Sequence, residues 1–285
     1  MKILILGAYG MLGHRIFGVL KDKFDTYATC RTFKKEWQHI LHADSLINDV
    51  QAEVFHSVVK AFALSQPDVV INCIGIVKQL DAAKDPIPSI KINSLFPHEL
   101  ALLCQSRGAR LIHFSTDCVF SGKKGNYRED DIHDAEDLYG RTKYLGEISG
   151  KGCLTIRSSI IGRELGKKHG LVEWFLSQRG KKINGYSKAI YSGFTTHAMA
   201  RMVSELIENH PSLSGIWQVA SDPISKYDLL CKMNAKMGLH IEIEKDEQFV
   251  CDRSLNGERF ARETGIVAPS WEVMIDDLVG EAGVY

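Results

Sequence analysis

A phenol and an ammonium group lie four residues apart in the segment Tyr139-Gly-Arg-Thr-Lys143. In an α-helix, a spacing of four residues places both side chains on the same face. An unperturbed tyrosine has a pKa of about 10, and a nearby ammonium stabilises its anion, which makes proton exchange near neutral pH practicable. The pair therefore indicates general acid–base chemistry at a substrate oxygen.

A hydroxyl group suited to the same chemistry occurs in Ser115-Thr116-Asp117, directly after an apolar run that ends at Phe114. Thr116 and Tyr139 together can hydrogen-bond the oxygen of a carbonyl substrate, and Lys143 can also hold the ribose of a nicotinamide cofactor. Hydride transfer to the carbonyl carbon, with protonation of its oxygen by Tyr139, would give an alcohol. We expect Thr116, Tyr139 and Lys143 to be catalytic.

A glycine-rich turn near the amino terminus predicts where such a cofactor would bind. Gly7, Gly10 and Gly13 follow the first predicted strand and open the first predicted helix, with Met11 and Leu12 between the last two glycines. Glycine permits a tight turn and lets a pyrophosphate approach the backbone amides at the helix amino end, where the helix dipole favours anions. We expect all five residues to contact a dinucleotide, although the spacing is GxxGxxG and not the commoner GxGxxG.

The residues after the second predicted strand bear on the choice of cofactor. A dinucleotide site ordinarily has an acidic residue there to bind the adenosine ribose. Asp25 precedes this strand, and Arg31 follows it instead. Because Arg can hold a phosphate through two parallel hydrogen bonds, Arg31 favours the 2′-phosphate of NADPH, with NADH as the alternative.

Two later segments are further cofactor contacts in this interpretation. Asp49 and Val50 are expected near the adenine, and Cys73, Ile74 and Gly75 lie at the carboxyl end of a predicted strand at Val69–Cys73. Ligands of doubly wound sheets bind outside the carboxyl ends of the strands, so this last segment should pass beneath the cofactor.

The elements that must position these groups alternate between strand and helix patterns. Short apolar runs bounded by turn residues alternate with helical periodicity, which predicts a doubly wound parallel α/β sheet with helices on both faces. The predicted strands are Ile3–Leu6, Thr26–Cys30, Val69–Cys73, Arg110–Phe114, Leu154–Ile161 and Gly215–Ala220, and the helices are Met11–Leu20, Val54–Leu64, Ser94–Ser106, Leu171–Gln178 and His197–Glu208. We expect residues 1–160 to form the dinucleotide-binding domain, with 190–220 returning to it, and residues 161–189 and 221–285 to form a smaller substrate-binding portion.

Composition excludes several other classes of protein. The chain has 285 residues, 45% of them hydrophobic, with 35 basic and 35 acidic residues. Zero net charge removes the electrostatic attraction on which non-specific nucleic-acid and anionic-membrane binding rest. Seven cysteines without a CxxC spacing suit reduced thiols in a cytoplasm better than a disulfide framework or a zinc site. We expect a cytoplasmic protein without a metal, and a homodimer is the default assembly.

Six segments together resemble the extended short-chain dehydrogenases/reductases, and among them the dTDP-4-dehydrorhamnose reductase family. They are GAYGMLG (7–13), INSLFPHELA (92–101), STDCVFSG (115–122), YGRTKYLGE (139–147), RSSIIG (157–162) and DRSLNGERF (252–260). The resemblance implies a Rossmann fold and an NADPH-dependent reductase of the 4-keto group of a nucleoside-diphosphate 6-deoxyhexose, in deoxysugar or surface-polysaccharide biosynthesis.

The resemblance also implies which residues bind the nucleotide sugar. Thr116, Asp117 and Cys118 would line the sugar, Ile160 would lie against it, and Arg253 would be near its phosphates. Cys118 stands where the family commonly has Tyr, and Ile160 where many members have Trp. These two departures leave the identity of the hexose open.

Neighbouring functions in the same superfamily remain as alternatives. A 4,6-dehydratase typically has Asp-Glu after the catalytic Thr, whereas Asp117 is followed here by Cys118. An epimerase usually retains NAD through the acidic residue that Arg31 replaces. A third relative is the non-catalytic, NADP-binding regulatory subunit of methionine adenosyltransferase, and the retained Thr116, Tyr139 and Lys143 argue against that role.

Three other clusters carry no site in this interpretation. His39 and His42 could share a helix face but lack a third metal ligand. The acidic run at 129–134 is expected to be a surface loop that caps the Tyr139 helix. Trp174 and Phe175 are more typical of a core than of a ligand-stacking pair.

Overall fold

The computed structural model describes residues 1–166 and 169–280, so residues 167–168 and 281–285 of the predicted substrate-binding portion lie outside the described residues. In chain order, the strands are β1 (Lys2–Leu6), β2 (Asp25–Thr29), β3 (Leu46–Ile47), β4 (Val69–Asn72), β5 (Arg110–Phe114), β6 (Cys153–Arg157), β7 (Ile160–Ile161), β8 (Lys182–Tyr191), β9 (Phe194–Thr195), β10 (Gly215–Gln218), β11 (Ile224–Ser225) and β12 (Glu242–Asp252).

The helices connect these strands. They are α1 (Gly13–Leu20), α2 (Phe55–Ser65), α3 (Pro86–Ser89), α4 (Phe96–Arg107), α5 (Leu138–Leu145), α6 (Leu171–Leu176), α7 (Thr196–Glu208), α8 (Lys226–Met237), α9 (Glu258–Thr264) and α10 (Trp271–Gly280). A π-helical segment, Ile90–Leu95, joins α3 to α4.

Seven strands form one parallel sheet in the order β10-β6-β5-β4-β1-β2-β3. The chain starts in the middle at β1, moves outward to β3, and then crosses to β4 and the other edge. This order confirms the predicted doubly wound sheet, and it brings the carboxyl ends of β1 and β4 together at the point where the winding changes direction.

The two faces of the sheet are both covered, as the apolar runs require. In β1, Ile3 and Ile5 belong to one hydrophobic core, whereas Leu4 and Leu6 belong to the other. Successive side chains of a strand point to opposite faces, so an uninterrupted apolar run is what a strand between two helical layers needs. All four residues of that run have no exposed surface.

A smaller sheet lies in the second half of the chain. Its three strands have the order β11-β8-β12, with β12 parallel and β11 antiparallel to β8. Strands β7 and β9, which precede and follow β8 in the chain, form a separate two-stranded parallel sheet. β10 returns to the edge of the large sheet beside β6.

The structure differs from the sequence expectation at several places, and strands β8 and β12 of the small sheet had no predicted counterpart. Helix α1 begins at Gly13 and not at Met11, because the glycine turn uses the two preceding residues. The predicted strand at 154–161 is two strands, since the chain leaves the large sheet after Arg157 and enters the small pairing at Ile160. Strand β2 begins at Asp25 and not at Thr26. Ser94 and Leu95, which were predicted to begin helix α4, belong to the π-helical segment.

Candidate active site

The glycine turn connects β1 to α1 at the carboxyl edge of the sheet. Gly7 has φ +91, a backbone conformation that residues with a Cβ rarely adopt. A Cβ on Gly13 would stand 2.1 Å from the Gly7 carbonyl oxygen. No side chain caps the amino end of α1, and its first turn carries no acidic residue. This helix end therefore has the shape and polarity that a pyrophosphate requires.

Two side chains that the sequence interpretation overlooked hold this turn in place. His14 is buried, and its Nδ1 lies 2.7 Å from the Gly10 carbonyl oxygen, while burial lowers the pKa of its imidazole to about 4. The Tyr9 hydroxyl accepts a 2.9 Å hydrogen bond from the Lys34 backbone amide. The second contact ties the turn to the segment after β2, where the cofactor ribose is expected.

Arg31 lies directly after β2 and is 63% exposed. Its Nη2 donates a 2.7 Å hydrogen bond to Oε1 of Glu53. Asp49 has φ +59, and the Val50 amide donates to the Cys30 carbonyl oxygen, so this loop runs alongside the end of β2. The structure thus brings Arg31, Asp49 and Val50 to one end of the glycine turn, and it adds a carboxylate that competes for Arg31.

The segment Cys73-Ile74-Gly75 lies against the glycine turn, as its position after β4 predicts. A Cβ on Gly7 would be 3.1 Å from Cγ1 of Ile74 and 3.4 Å from the Cys73 carbonyl carbon. Asn93, in the π-helical segment, fixes the continuation of this loop by accepting from the Ile76 amide and donating to the Ile76 carbonyl oxygen.

Helix α5 presents Tyr139 and Lys143, and its amino end is fixed by two features. Asp137 caps the helix by accepting a 2.7 Å hydrogen bond from the Gly140 amide. Gly140 also allows the helix to approach the loop after β5, because a Cβ there would be 2.2 Å from the Cys118 carbonyl oxygen. The cap and the missing side chain bring Tyr139 next to Thr116, whose hydroxyl partly opposes the effect of burial on the pKa of the phenol.

The pKa of Tyr139 does not follow the sequence expectation. The ammonium of Lys143 was expected to stabilise the phenolate, but burial raises the pKa of Tyr139 above its ordinary value, and the Cys118 and Asp117 groups add to that rise. The Lys143 ammonium instead donates a 2.6 Å hydrogen bond to the Phe114 carbonyl oxygen. Tyr139 is therefore a neutral phenol here, which is the form that donates a proton.

Lys143 is buried, with 6% of its surface exposed. Burial lowers the pKa of its ammonium to about 8, and the carboxylate of Glu147, one turn further along the chain, opposes that shift. The imidazole of His113 faces it from β5, and its pKa lies well below the ordinary value because of burial and the Lys143 charge. Lys143 is thus charged at neutral pH without a carboxylate bound to it.

Residues 117–119 form a short 3₁₀ turn capped by Thr116, whose Oγ1 accepts from the Cys118 amide at 3.2 Å. Thr116 Oγ1 also donates to the Asp117 carboxylate at 3.1 Å. Burial raises the pKa of the Asp117 carboxyl and, with the Asp117 charge, raises the pKa of the Cys118 thiol to about 12. Thr116, Asp117, Cys118 and Tyr139 therefore come together as predicted, with Cys118 as a neutral thiol.

A buried ion pair that the sequence did not reveal supports this constellation. Arg157 and Glu147 are each 2% exposed and are joined by two hydrogen bonds of 2.7 Å. The same carboxylate accepts a 2.6 Å hydrogen bond from the Ser115 hydroxyl. Glu147 thereby connects helix α5 to the residue that precedes Thr116.

The small sheet contributes the opposite wall. Arg253 follows β12, and its Nε donates a 2.9 Å hydrogen bond to the Phe120 carbonyl oxygen. Its guanidinium is within electrostatic reach of Cys118 and Asp117, and so is the ammonium of Lys226 at the start of α8. Ile160 lies in β7 and packs against the larger hydrophobic core.

The remaining clusters do not form further sites. The acidic loop is tied down by ion pairs and hydrogen bonds, including Asp131 with Lys124 and Asp134 with Ser121, while Asp137 provides the helix cap. His39 and His42 lie outside any α-helix. Phe175 is a core residue, but Trp174 is 40% exposed, contrary to the expectation for that pair.

Residues 1–166 and 169–280 contain neither a metal-binding cluster nor a membrane-spanning helix. No group of three or more His, Cys, Asp and Glu side chains there is arranged to hold a metal ion. No helix there is both long and apolar enough to cross a membrane.

Comparison with known protein families gives one match across nearly the whole chain. The RmlD substrate binding domain family matches residues 1–282. The chain is 27% identical over 291 residues to the spore coat polysaccharide biosynthesis protein SpsK of Bacillus subtilis, covering 99% of this chain and 92% of that protein.

Two further similar proteins have different descriptions. The chain is 24% identical to the methionine adenosyltransferase 2 subunit beta of Mus musculus, covering 96% of this chain and 89% of that protein. A crystal structure of dTDP-4-dehydrorhamnose reductase from Bacillus anthracis in complex with NADP is similar with a TM-score of 0.81, at 22% identity and covering 99% of both chains. This structural likeness supports the same fold.

Proposed function

The chain belongs to the RmlD substrate binding domain family, and from that premise we propose that it is an NADPH-dependent reductase of a nucleoside-diphosphate 6-deoxy-4-keto-hexose. The observation that carries the proposal is the group of Thr116, Tyr139 and Lys143 at the carboxyl edge of the sheet, beside the glycine turn. A regulatory protein that only binds a dinucleotide has no need of a neutral phenol next to a threonine hydroxyl at this place.

The residues around the glycine turn fit a dinucleotide. The uncapped amino end of α1 and the closely packed Gly7 and Gly13 leave room and donors for a pyrophosphate, and Arg31 offers nitrogens to a ribose phosphate. When bound, the cofactor would supply a hydride. NADPH is the expected cofactor, because Arg31 can bind its ribose phosphate. NADH is the alternative, because Glu53 accepts a hydrogen bond from Arg31 and competes for that side chain.

The chain's own residues would then manage the substrate oxygen. Thr116 and Tyr139 would donate hydrogen bonds to the carbonyl oxygen, which polarises the carbonyl and aligns it. Tyr139, held neutral by burial, would pass its proton to that oxygen as negative charge develops. Lys143 would hold the nicotinamide ribose through its ammonium group.

The loop around Asp117 distinguishes a reductase from a dehydratase. Elimination of water needs an additional acid and base next to the sugar, and Asp117 is followed by a thiol whose pKa lies near 12. A group with that pKa is a poor base at neutral pH. We therefore disfavour dehydration and retain carbonyl reduction as the reaction.

A second candidate function comes from the relatives. Several similar proteins are beta subunits of methionine adenosyltransferase 2, so a regulatory role in a complex is the alternative. The two functions differ in one measurement, because a regulatory subunit would bind NADPH without consuming it.

The test uses NADPH and the 4-keto sugars that a dehydratase makes in situ from dTDP- and UDP-linked hexoses. We expect NADPH consumption with at least one 4-keto sugar and none with the corresponding 4-hydroxy sugar. Failure with all of them, despite measured NADPH binding, would favour the regulatory role. Conversion of the sugar without net NADPH consumption would indicate an epimerase.

A further inference from the structure

Three adjacent strands of the small sheet end beside the Thr116 turn. Tyr191 ends β8, Lys226 follows β11, and Arg253 follows β12. The strand register places the ends of β11 and β12 on either side of Ile190 in β8. The fold thus delivers one phenol and two cations to the same place, opposite the catalytic turn.

Lys226 is a cation without an acidic partner. Its Nζ lies 3.9 Å from the centre of the Tyr191 ring. In the described part of the chain, no carboxylate forms an ion pair with this ammonium and no group accepts a hydrogen bond from it. Burial lowers its pKa, while the Asp117 carboxylate opposes that shift. All three donors of the ammonium are therefore open to a ligand.

Tyr191 holds this ammonium in place. The ring is 2% exposed, and a Cβ on Gly193 would be 2.3 Å from its edge, so the ring cannot shift toward that residue. Trp271 packs against it, with ring centres 5.4 Å apart. A cation above an aromatic face is attracted by the ring quadrupole, which gives the Lys226 ammonium a defined position without neutralising it.

Arg253 supplies the second charge. Only its Nε is used, by the Phe120 carbonyl oxygen, which leaves both terminal nitrogens without an acceptor among the described residues. Asp137, which also lies near it, already pairs with Lys78 at 2.6 Å. Among the described residues, Asp117 is a carboxylate within electrostatic reach of both cations, so two positive charges face it.

We propose that Lys226, positioned by Tyr191, acts with Arg253 as a two-cation site for the diphosphate of the substrate. This inference rests on the proposed function, because it takes a nucleotide sugar as the ligand. A diphosphate carries two or more charges over several oxygens, which suits a point-charge donor together with a forked guanidinium. One sugar carboxylate would be satisfied by Arg253 alone and would leave Lys226 unpaired.

Binding of UDP and dTDP to the NADP-loaded protein, measured by calorimetry, tests the site without turnover. We expect Lys226→Met to weaken diphosphate binding about tenfold or more and to leave binding of the free nucleosides unchanged. Lys232→Met is the matched control, because Lys232 lies on the same helix and pairs with Glu272 away from the site. That control should bind like the wild type.

The Tyr191 contribution has its own pair of variants. Tyr191→Phe keeps the ring and should bind diphosphates like the wild type, whereas Tyr191→Leu removes the aromatic face and should weaken binding several-fold. If Tyr191→Leu does not fold, Tyr191→Phe still gives a test. An equal loss of diphosphate affinity in Tyr191→Phe and Lys226→Met would contradict the proposal that the aromatic face alone positions the Lys226 ammonium.

Four results would overturn the inference. They are wild-type affinity in Lys226→Met, equal losses in Lys226→Met and Lys232→Met, equal loss of nucleoside and diphosphate binding, and a Lys226→Met defect confined to UDP-glucuronate with UDP unaffected. The last would assign Lys226 to a sugar carboxylate.

A protein that binds UDP or dTDP through Lys226 but reduces no 4-keto sugar would retain this site and retire the reductase proposal alone. A fifth result, a wild type that binds neither UDP nor dTDP, would overturn the two-cation site as well.

Discussion

Replacing Glu147 with Gln should destabilise the protein strongly, because the substitution leaves the Arg157 guanidinium buried without its counter-charge. Both side chains are 2% exposed, and the carboxylate accepts hydrogen bonds from Arg157 and from Ser115. Removing one partner of a buried ion pair typically costs about 3–5 kcal/mol. The Gln oxygen can still accept one of these hydrogen bonds, so we expect the free energy of unfolding to fall by about 3 kcal/mol.

Urea denaturation of Glu147→Gln and of a matched control measures this loss. Glu136→Gln is the control, because Glu136 pairs with Lys123 at the surface, where both side chains are 73% exposed. The control should keep the wild-type midpoint. Similar midpoints for the two variants would refute the reasoning that burial, and not pairing itself, makes Glu147 important.

The same substitution has a catalytic consequence that lost stability alone would not produce. Glu147 opposes the burial that lowers the pKa of Lys143 to about 8. Without that carboxylate, the ammonium should lose its proton at a lower pH. The alkaline decline of kcat/KM in folded Glu147→Gln should therefore begin at lower pH than in the wild type, and Glu147→Asp, which keeps the charge, should restore most of the wild-type profile.

Three other substitutions or conditions test the site. Tyr139→Phe removes the proton donor and keeps the ring, so kcat should fall by about 100-fold or more while calorimetric NADPH binding stays nearly intact; wild-type turnover would exclude Tyr139 as the acid. Arg31→Ala should raise the Kd for NADPH much more than the Kd for NADH, because only the ribose phosphate contact is lost; equal effects would remove Arg31 from that role. In the wild type, kcat/KM should decline as pH rises through about 8, since Lys143 acts in its charged form, and Lys143→Met should lack this decline.

Most of the large sheet could be predicted from local sequence patterns, whereas strands β8 and β12 of the small sheet could not. The apolar run of β1 and the glycines that follow it define a strand, a turn and a helix within the first 20 residues, and the same alternation continues to β5. The break between β6 and β7 could not be predicted. Ser158 and Ser159 separate two strands that pair in different sheets, β6 with β5 and β7 with β9. Such a change of sheet depends on distant partners, which a single sequence does not show.

The candidate site divides in the same way. Thr116, Tyr139 and the glycine turn carry recognisable spacings, so the sequence predicts them. Lys226 has no such signal, since its role depends on strands that pair far apart in the chain. The direction of the Tyr139 pKa shift was also predicted wrongly, because helical spacing indicates that an ammonium is near but not that it donates to the Phe114 carbonyl oxygen.

The most direct test of the central claim follows the hydride itself. The protein would be incubated with NADPH carrying deuterium at the transferable position of the nicotinamide and with a nucleoside-diphosphate 6-deoxy-4-keto-hexose, and the product sugar examined by NMR. The account predicts deuterium at C4 of the sugar in wild-type product and none with Tyr139→Phe in the same time. Product without deuterium at C4, or no product while NADPH remains bound, would contradict the assignment of this chain as a 4-keto reductase.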